Sequence, residues 1–287
     1  MTYQILITGS TGNVGTEIVR ELNRKQISIK AAVTNNKSAS QSKSKNKTVV
    51  LDFENPKTFK GALSGISTVF LMRPPQMGNP KQLYPFIDAC KNSGVQHIVF
   101  LSLLGIQYNP FAPHGYIEKH IKKSGISYTL LRPSFFMQNL STTHVVDIRD
   151  NDEVFVPAGK GKTSFIDARD IAAVAAVTLS EAGHTNKAYD LTGSEALSYY
   201  DVAKILSGVL GRPIVYSNPP TKEFEKRMIG RGLDADYVSI MNKIYLVNKL
   251  GLAGKVTNTV QDILGRPAIA FTKFANDNKE IFTRLSK

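Results

Sequence analysis

The apolar positions in the first half of the chain alternate between two patterns. Short apolar runs, typical of buried strands, are each followed by a stretch with helical spacing. The predicted strands cover residues 3–8, 27–34, 48–51, 67–72, 95–102 and 126–133. The predicted helices between them cover residues 13–25, 56–63, 80–93 and 117–123. Because the strands are apolar throughout, the pattern predicts a parallel sheet covered by helices on both faces.

The pattern becomes less regular after Pro133. It predicts a strand over residues 164–167, a buried helix from about Arg169, another strand in KAYDLTG, and mostly helix from Ser198 onward. The predicted fold class is α/β, a doubly wound parallel sheet with a smaller, mostly helical C-terminal lobe. The sheet domain is predicted to comprise residues 1–133 and about 164–193, and the lobe residues about 134–163 and 194–287.

Three glycines in the segment ILITGSTGNVG lie between the first predicted strand and the first predicted helix. Gly9 permits a tight turn, Gly12 lets the backbone approach a pyrophosphate, and Gly15 allows the helix to pack close to the strand. The helix N-terminus offers free N–H groups and the positive end of its dipole to phosphate. The sheet is therefore predicted to be of the Rossmann type and to bind a dinucleotide. The predicted contacts are Gly9, Ser10, Thr11, Gly12, Asn13, Val14 and Gly15.

The end of the second predicted strand bears on the choice between NAD(H) and NADP(H). An NAD site usually has Asp or Glu there to bind the ribose 2′-hydroxyl. Here the strand ends at Thr34 and two asparagines, and Lys37 follows within a lysine-rich segment. Without a carboxylate nothing repels a 2′-phosphate, so we predict that NADP(H) is preferred. Because no arginine is firmly placed there, we expect mild selectivity, with NAD(H) accepted as well.

Composition narrows the classes of protein. No apolar run approaches the roughly 20 residues needed to span a bilayer, and no leader-like pattern opens the chain. The single cysteine, Cys90, cannot form an internal disulfide. We therefore expect a soluble, reduced, cytoplasmic protein with no membrane partner. The net charge of +13 is scattered, without a basic helix or an aromatic-lined groove, so we expect no nucleic-acid partner.

The chain resembles the atypical short-chain dehydrogenases/reductases of the NmrA-like group, and within it the NAD(P)H:quinone oxidoreductases and triphenylmethane reductase. The resemblance runs nearly end to end. It rests on TGSTGNVG, VQHIVFLS, HGYIEKHIKKSGISYTLLRPSFFMQN, SFIDARDIAAVAA, AYDLTGSEALSYYDVA and ILGRPAIAFTKFANDN. It implies that the sheet domain binds NAD(P) and that the lobe binds substrate. Because the group mixes reductases with cofactor-binding regulators, both activities stay open at this point.

The resemblance also implies contacts where the strands end. The implied cofactor contacts are Thr34 and Lys37 by the adenosine ribose, Asp52 and Phe53 beside adenine, Leu71, Met72 and Arg73 near the nicotinamide-side ribose, and Ser134, Phe135, Phe136 and Met137 facing the nicotinamide. These positions follow strands, at the edge where open parallel sheets bind ligands. The side-chain chemistry of RPSFFMQN predicts Phe136 and Asn139 as substrate contacts, an aromatic ring and a polar group beside it; core packing is the alternative for the phenylalanines.

The usual catalytic pair of short-chain dehydrogenases is missing from its expected place. In Tyr-x-x-x-Lys, the lysine lowers the pKa of the tyrosine so that it can exchange a proton. The literal matches Tyr200–Lys204 and Tyr245–Lys249 lie in the second lobe, where such spacing arises by chance on helices, and we interpret both as coincidental. After the fifth predicted strand, Tyr116 is followed at the catalytic interval by His120.

Other groups stand in that segment. His114 and Glu118 have i,i+4 spacing on one helix face and are able to hydrogen-bond. The resemblance implies that Lys119 contacts the nicotinamide ribose, so Lys119 and His114 are the candidate catalytic residues; ordinary surface charge is the alternative. Ser102, where the family usually has a serine, is a further candidate cofactor contact, and a strand-end hydroxyl satisfied within the fold is the alternative. The histidines lack a clustered carboxylate and cysteine set, so we predict no metal site.

Reduction of a quinone needs little acid–base chemistry, because hydride passes directly to an electron-poor ring and solvent can protonate the product. We therefore predict an NAD(P)H-dependent reductase of quinones or similar small conjugated electrophiles. One alternative is a non-catalytic NADP(H)-binding redox sensor, which would have a protein partner. A nucleotide-sugar epimerase or dehydratase is another, and it would need the missing Tyr–Lys pair.

Overall fold

The structure, a computed structural model, describes residues 4–34, 46–109 and 111–284. The strands are β1 Ile5–Ile7, β2 Ile29–Val33, β3 Lys47–Val50, β4 Thr68–Met72, β5 His97–Leu101, β6 Ser127–Pro133, β7 Glu153–Val154, β8 Lys162–Thr163, β9 Lys187–Leu191, β10 Leu197–Ser198 and β11 Val215–Tyr216. The α-helices are α1 Asn13–Arg24, α2 Phe59–Leu63, α3 Tyr84–Asn92, α4 Pro113–Ser124, α5 Gln138–Ser141, α6 Val145–Asn151, α7 Ala168–Ser180, α8 Tyr199–Leu210, α9 Thr221–Gly230, α10 Ala235–Lys249, α11 Thr259–Leu264, α12 Phe271–Asp277 and α13 Lys279–Phe282. Short 3-10 helices cover Pro56–Thr58, Pro80–Leu83 and Ile106–Tyr108.

The chain divides into two compact units. The first comprises Met1–Pro133 and Ala168–Leu191, and the second comprises Ser134–Asp167 and Thr192–Lys287. The assignment of cofactor to the first and of substrate to the second stays a prediction. In the described ranges, no helix is long and apolar enough to cross a membrane.

The first unit is built on a seven-stranded sheet with the order β3-β2-β1-β4-β5-β6-β9. Every neighbouring pair is parallel. The strand order reverses at β1, which lies between β2 and β4, and such a switch point is where doubly wound sheets bind ligands. The predicted Rossmann-type α/β class is confirmed.

Apolar faces attach helices to this sheet. On α1, the residues Val14, Ile18 and Leu22 recur at helical spacing and are buried, and α1 packs along α7. Helices α3 and α4 pack against each other and contribute to the main core cluster of the unit. Cys90 on α3 is fully buried, and burial raises the pKa of its thiol to about 12.

The second unit is mostly helical and carries two small sheets. Strand β10 pairs with β8 antiparallel, and β11 pairs with β7 in parallel. Helix α8 begins at a capping box in which Ser198 and Asp201 satisfy each other's backbone N–H groups. The core of this unit is rich in aromatic rings, including Phe155, Phe224, Phe271, Phe274 and Phe282.

Some predicted elements differ from the structure. The strand predicted over residues 164–167 is absent from the described residues; β8 precedes it, and Ile166 forms an isolated bridge with Phe136. The segment is apolar because it is buried, so the pattern resembles that of a strand. Helix α4 begins at Pro113, earlier than predicted. Proline is favoured in the first turn of a helix, because an N–H there has no partner within the helix and its absence costs nothing. The strands β7, β10 and β11 were not predicted.

Candidate functional site

The three glycines of the first loop are required for different reasons. Gly9 has φ +62°, and a Cβ there would also overlap the side chain of Met72. A Cβ on Gly15 would overlap the carbonyl oxygen of Gly9 and lie 2.9 Å from Cα of Ser10. A Cβ on Gly12 would meet only the carbonyl oxygen of Gly9, at an ordinary 3.5 Å, among the described atoms. The chain itself therefore demands glycine at positions 9 and 15 and leaves space at position 12.

Hydrogen bonds tie this loop to the neighbouring strands. Ser10 Oγ donates to the carbonyl of Ala32 at 2.7 Å, which connects the loop to the end of β2. Thr8 Oγ1 accepts the backbone N–H of Met72 at 3.0 Å, which connects it to the end of β4. Gly12 N–H donates back to the Gly9 carbonyl at 3.0 Å and closes the turn. Because the Ser10 hydroxyl donates its proton to the Ala32 carbonyl, the backbone N–H of Ser10 is the donor left for the predicted ligand contact.

Gly12 is also the N-cap residue of α1, and as glycine it offers no side chain to cap the first turn. The first N–H groups of a helix lack partners within the helix and attract anions. Open space at Gly12 and an uncapped helix end therefore coincide, and this arrangement fits a pyrophosphate.

Arg73 directly follows β4 and carries a second unsatisfied donor. Its Nη2 donates to the carbonyl of Met77, whereas its Nε is buried without a hydrogen-bond partner in the described structure. Burial lowers the pKa of this guanidinium. Buried donors without a partner are costly, so an acceptor oxygen of a bound ribose or phosphate would be stabilising here. Leu71, one residue from β4's end, lies in the apolar core, which leaves only its backbone for a cofactor contact.

A buried cluster joins β5, β6 and α4. Glu118 accepts a hydrogen bond from Ser102 Oγ at 2.6 Å and a bidentate pair from Arg132, at 3.0 Å from Nε and 2.7 Å from Nη2. All three residues are buried. The hydrogen bonds with Glu118 raise the pKa of Arg132. Glu118 therefore compensates a buried cation and orients Ser102, and its oxygens are engaged there rather than in the expected hydrogen bond with His114.

His114 lies in the first turn of α4 and is half-buried. Burial, and next the charge of Arg73, lower the pKa of His114 to about 4, although Glu118 acts in the opposite direction. Its ring lies 5.9 Å from that of Phe100, measured between centroids. His114 is thus neutral near pH 7, so its ring can donate or accept a hydrogen bond but carries no charge.

Two further candidate side chains on α4 differ, because one is exposed and the other is bound to neighbouring residues. Lys119 is exposed, and its contact with the nicotinamide ribose stays a prediction. His120 stacks on Tyr84 with centroids 3.8 Å apart and pairs with Asp88 at 2.8 Å. Because the His120 ring is engaged by Tyr84 and Asp88, we do not assign it the role of the missing lysine beside Tyr116.

The residues proposed beside the adenosine have structural contacts too. Asp52 Oδ1 accepts the N–H of Glu54 at 2.9 Å, and the ring of Phe53 packs edge-on against Phe86 with centroids 5.1 Å apart. Thr34, after β2, is exposed, and Lys37 lies outside the described residues. Asp52, Phe53 and Thr34 stay predicted contacts.

The remaining candidates belong to the second unit. Ser134 is buried and accepts a hydrogen bond from Ser164 at 3.1 Å, and Met137 lies in the core. Phe135 and Phe136 are half-buried, and Asn139 is exposed. Their predicted contacts with nicotinamide or substrate stay predictions.

One of the two literal Tyr-x-x-x-Lys matches has a structural role in the second unit. Tyr245 is buried, its Oη lies 2.6 Å from His144 Nε2, and burial raises the pKa of Tyr245 well above its usual value. A phenol so placed is held in the core of the unit.

Arg132, and the way Glu118 bridges it to Ser102, were not predicted from the sequence. A signal was present, because Arg132 interrupts the apolar strand β6 and a buried cation requires a partner. In the described residues, no group of three or more His, Cys, Asp or Glu side chains is placed to hold a metal ion.

The chain is similar to known proteins over nearly its whole length. The model of the NmrA-like family matches residues 1–262. NAD(P)H azoreductase of Xenophilus azovorans is 35% identical over 285 residues, covering 97% of this chain and 99% of the relative. Agroclavine dehydrogenase of Claviceps fusiformis is 32% identical over 288 residues, covering 97% and 98%.

Solved structures are similar in fold. The NADPH-dependent quinone oxidoreductase of Escherichia coli, complexed with NADPH, is similar with a TM-score of 0.85 and 26% identity, over 95% of this chain and 99% of that one. The Citrobacter sp. triphenylmethane reductase complexed with NADP(H) has a TM-score of 0.83 at 23% identity, over 96% and 99%, and supports the fold alone.

Proposed function

The chain belongs to the NmrA-like family, and from that premise we propose that it is an NAD(P)H-dependent reductase of quinones and similar small conjugated electrophiles, azo compounds among them. NADP(H) is its preferred cofactor and NAD(H) is also accepted. The observation that carries the proposal is the space at Gly12, at the uncapped end of α1, which the chain itself leaves unfilled.

The relatives support the type of reaction. One is named an NAD(P)H azoreductase, and another, an NADPH-dependent quinone oxidoreductase, has been solved with NADPH. Azo compounds and quinones share an electron-poor conjugated system that accepts hydride. This shared chemistry is the reason for proposing a class of acceptors rather than a single substrate.

Residues of this chain supply binding and orientation. The bound nicotinamide supplies the hydride. The glycine loop and the N-terminus of α1 hold the pyrophosphate, and Arg73 donates to an oxygen near the end of β4. We assign Lys119 to the ribose contact. His114, neutral near pH 7, donates a hydrogen bond to the acceptor as electron density grows on it.

Phe135, Phe136 and Asn139 are the acceptor contacts in this proposal. Phe135 and Phe136 offer partly exposed aromatic surface, and Asn139 offers an exposed amide. Replacing both phenylalanines with alanine is expected to raise KM for the acceptor more than Kd for NADPH. Equal effects on both constants would count against these contacts.

The experiment that tests the proposal follows NADPH oxidation by the purified protein when a simple benzoquinone or an azo dye is added, with NADH run in parallel. We expect saturable, protein-dependent oxidation that favours NADPH. Tight NADPH binding without oxidation across the acceptor panel would contradict the reductase and favour the redox sensor, a function to which the missing Tyr–Lys pair also points. In that case NADPH-dependent capture of a protein partner becomes the decisive measurement.

A further inference from the structure

Four large hydrophobic side chains are exposed in the described part of the first unit, and all four lie between the end of β5 and the first turn of α4. They are Leu103, Tyr108, Phe111 and Tyr116, which are 43%, 82%, 79% and 37% exposed. The two most exposed, Tyr108 and Phe111, are here named the connector aromatics. At these exposed fractions the two side chains present roughly 300 Å² of surface, and apolar surface of that extent often marks a binding site.

The connection between β5 and α4 carries no charged side chain. Residues 102–117 contain no Asp, Glu, Lys or Arg, although 21% of the whole chain is charged. Sites for small organic ligands are lined in this way, by aromatic and aliphatic side chains with few polar groups. A charged partner would find no opposite charge here, whereas an uncharged flat molecule matches the faces of the two rings.

Hydrogen bonds fix the backbone of this connection. The N–H of Leu104 donates to the carbonyl of Pro133 at 2.9 Å, which continues the pairing of β5 with β6 past the end of β5. Ile106 is buried, and the N–H of Tyr108 donates to the carbonyl of Gly105 at 3.0 Å. The connection is thus held to the sheet by its backbone and by Ile106, while the ring of Tyr108 stays in solvent.

The connection also lies beside the proposed site of hydride transfer. It begins at the carboxyl end of β5, on the edge where doubly wound sheets bind ligands. At its other end is His114, to which we assign the hydrogen bond to the acceptor. Phe111 precedes His114 by three residues, and three residues of chain span at most about 11 Å. A second ring on an acceptor held at His114 is therefore within reach of Phe111. This continuity with the proposed site favours the acceptor over a second copy of the chain as the molecule that covers the two rings.

We propose that the connector aromatics bind the outer ring of extended, uncharged acceptors, such as naphthoquinones and diaryl azo compounds, and select them over single-ring quinones. The acceptor is that of the reductase proposed above, on which this assignment rests. Hydride transfer requires only the ring beside the nicotinamide, so a single-ring quinone reacts without contacting Tyr108 or Phe111. The additional ring of a larger acceptor stacks on them, and each such contact is expected to raise affinity about three- to tenfold.

Binding of an uncharged two-ring dye, 4-aminoazobenzene, tests the proposal without turnover. The change in its absorption gives Kd for the full-length protein in the presence of NADP⁺, which cannot reduce it. We expect Kd to rise at least about tenfold in the double variant Tyr108→Ala/Phe111→Ala. Tyr108→Phe keeps the ring and should recover most of the affinity lost in Tyr108→Ala. Gln107→Ala is the matched control, because Gln107 is exposed in the same 3-10 helix and has no ring.

Steady-state kinetics test the selection by size. In the double variant, KM for 1,4-naphthoquinone should rise about tenfold and KM for 1,4-benzoquinone less than about twofold, with Kd for NADPH unchanged. Circular dichroism confirms that each variant is folded. Equal rises in KM for the two quinones would overturn the selection.

The remaining outcomes separate this assignment from the reductase itself. Unchanged dye affinity in the double variant overturns the assignment, and NADPH oxidation by the wild type would still support the reductase. An equal loss of affinity in Gln107→Ala also overturns it, because the rings would then have no special part. A sedimenting mass that halves in the double variant overturns it as well, because a second copy would then cover the rings. Ring-dependent dye binding without NADPH oxidation in the wild type contradicts the reductase and supports the binding surface.

Discussion

Replacing Gly12 with alanine separates cofactor binding from folding. The backbone at Gly12 has φ −85°, which alanine adopts readily, and the new methyl group would lie 3.5 Å from the Gly9 carbonyl oxygen, an ordinary contact. Alanine is a somewhat poorer N-cap than glycine, so the free energy of unfolding without cofactor should fall by less than about 1 kcal/mol. The methyl group would stand where the backbone approaches the pyrophosphate.

The expected cost therefore appears in binding. If the pyrophosphate lies against Gly12, the methyl group forces it away from the N–H groups of α1, and Kd for NADPH should rise at least about tenfold, or ~1.4 kcal/mol. Titration of intrinsic or cofactor fluorescence gives Kd, and urea unfolding without cofactor gives stability. Both are measured on the same preparation of the variant.

Gly15→Ala is the matched comparison in the same loop. Its Cβ would overlap the Gly9 carbonyl oxygen and lie 2.7 Å from the Gly9 carbonyl carbon, and backbone atoms move only if the loop shifts. We expect a loss of about 2 kcal/mol or more in unfolding free energy, with binding weakened as a consequence. Wild-type affinity for NADPH in Gly12→Ala, or a loss of stability as large as that of Gly15→Ala, would refute a pyrophosphate contact at Gly12.

Three further predictions concern charge. Glu118→Ala leaves the arginine of β6 buried and unpaired, so urea unfolding should show a loss of roughly 3–5 kcal/mol, against less than about 1 kcal/mol for the exposed pair lost in Glu21→Ala. Burial lowers the pKa of His144 to about 4, so between about pH 6.5 and pH 4 the unfolded chain binds a proton that the folded chain does not. The free energy of unfolding should therefore fall as the pH drops through this range, and it should fall less in His144→Gln. Lys119→Ala should raise KM for NADPH about tenfold, whereas Lys123→Ala, at an exposed position on the same helix, should leave it unchanged. The same KM for NADPH in both variants would contradict the contact between Lys119 and the ribose.

The fold could be predicted where one local pattern determines one element. An apolar run, three glycines and a helical spacing suffice for β1, its loop and α1, because each signal lies within one short segment. The buried segment at residues 164–167 could not be assigned correctly. Its residues would be buried either in a hydrogen-bonded strand or in an irregular segment, and the spacing of apolar residues does not distinguish the two.

The Glu118 cluster depends on register, which a single sequence does not contain. Strands β5 and β6 pair with Leu101 opposite Leu131, and the N–H of Ser102 donates to the Leu131 carbonyl at 2.7 Å. This register brings Ser102 beside Arg132, and α4 then places Glu118 between them. A shift of one residue would turn the arginine to the other face of the sheet. The sequence contains Ser102, Glu118 and Arg132 but does not show that their side chains form hydrogen bonds with one another.

That cluster also bears on the kind of acceptor. Ser102 donates its one hydroxyl proton to Glu118 at 2.6 Å, so it has none to give to a product. Reduction of a simple ketone, including the ketone intermediate of a sugar epimerisation, produces an alkoxide, a strong base that requires a proton donor beside it. Reduction of a quinone produces a phenolate-like anion, a much weaker base that water can protonate. The proposed site, with its serine engaged, its histidine neutral and no Tyr–Lys pair, is therefore better suited to the quinones of our proposal than to simple ketones or sugars.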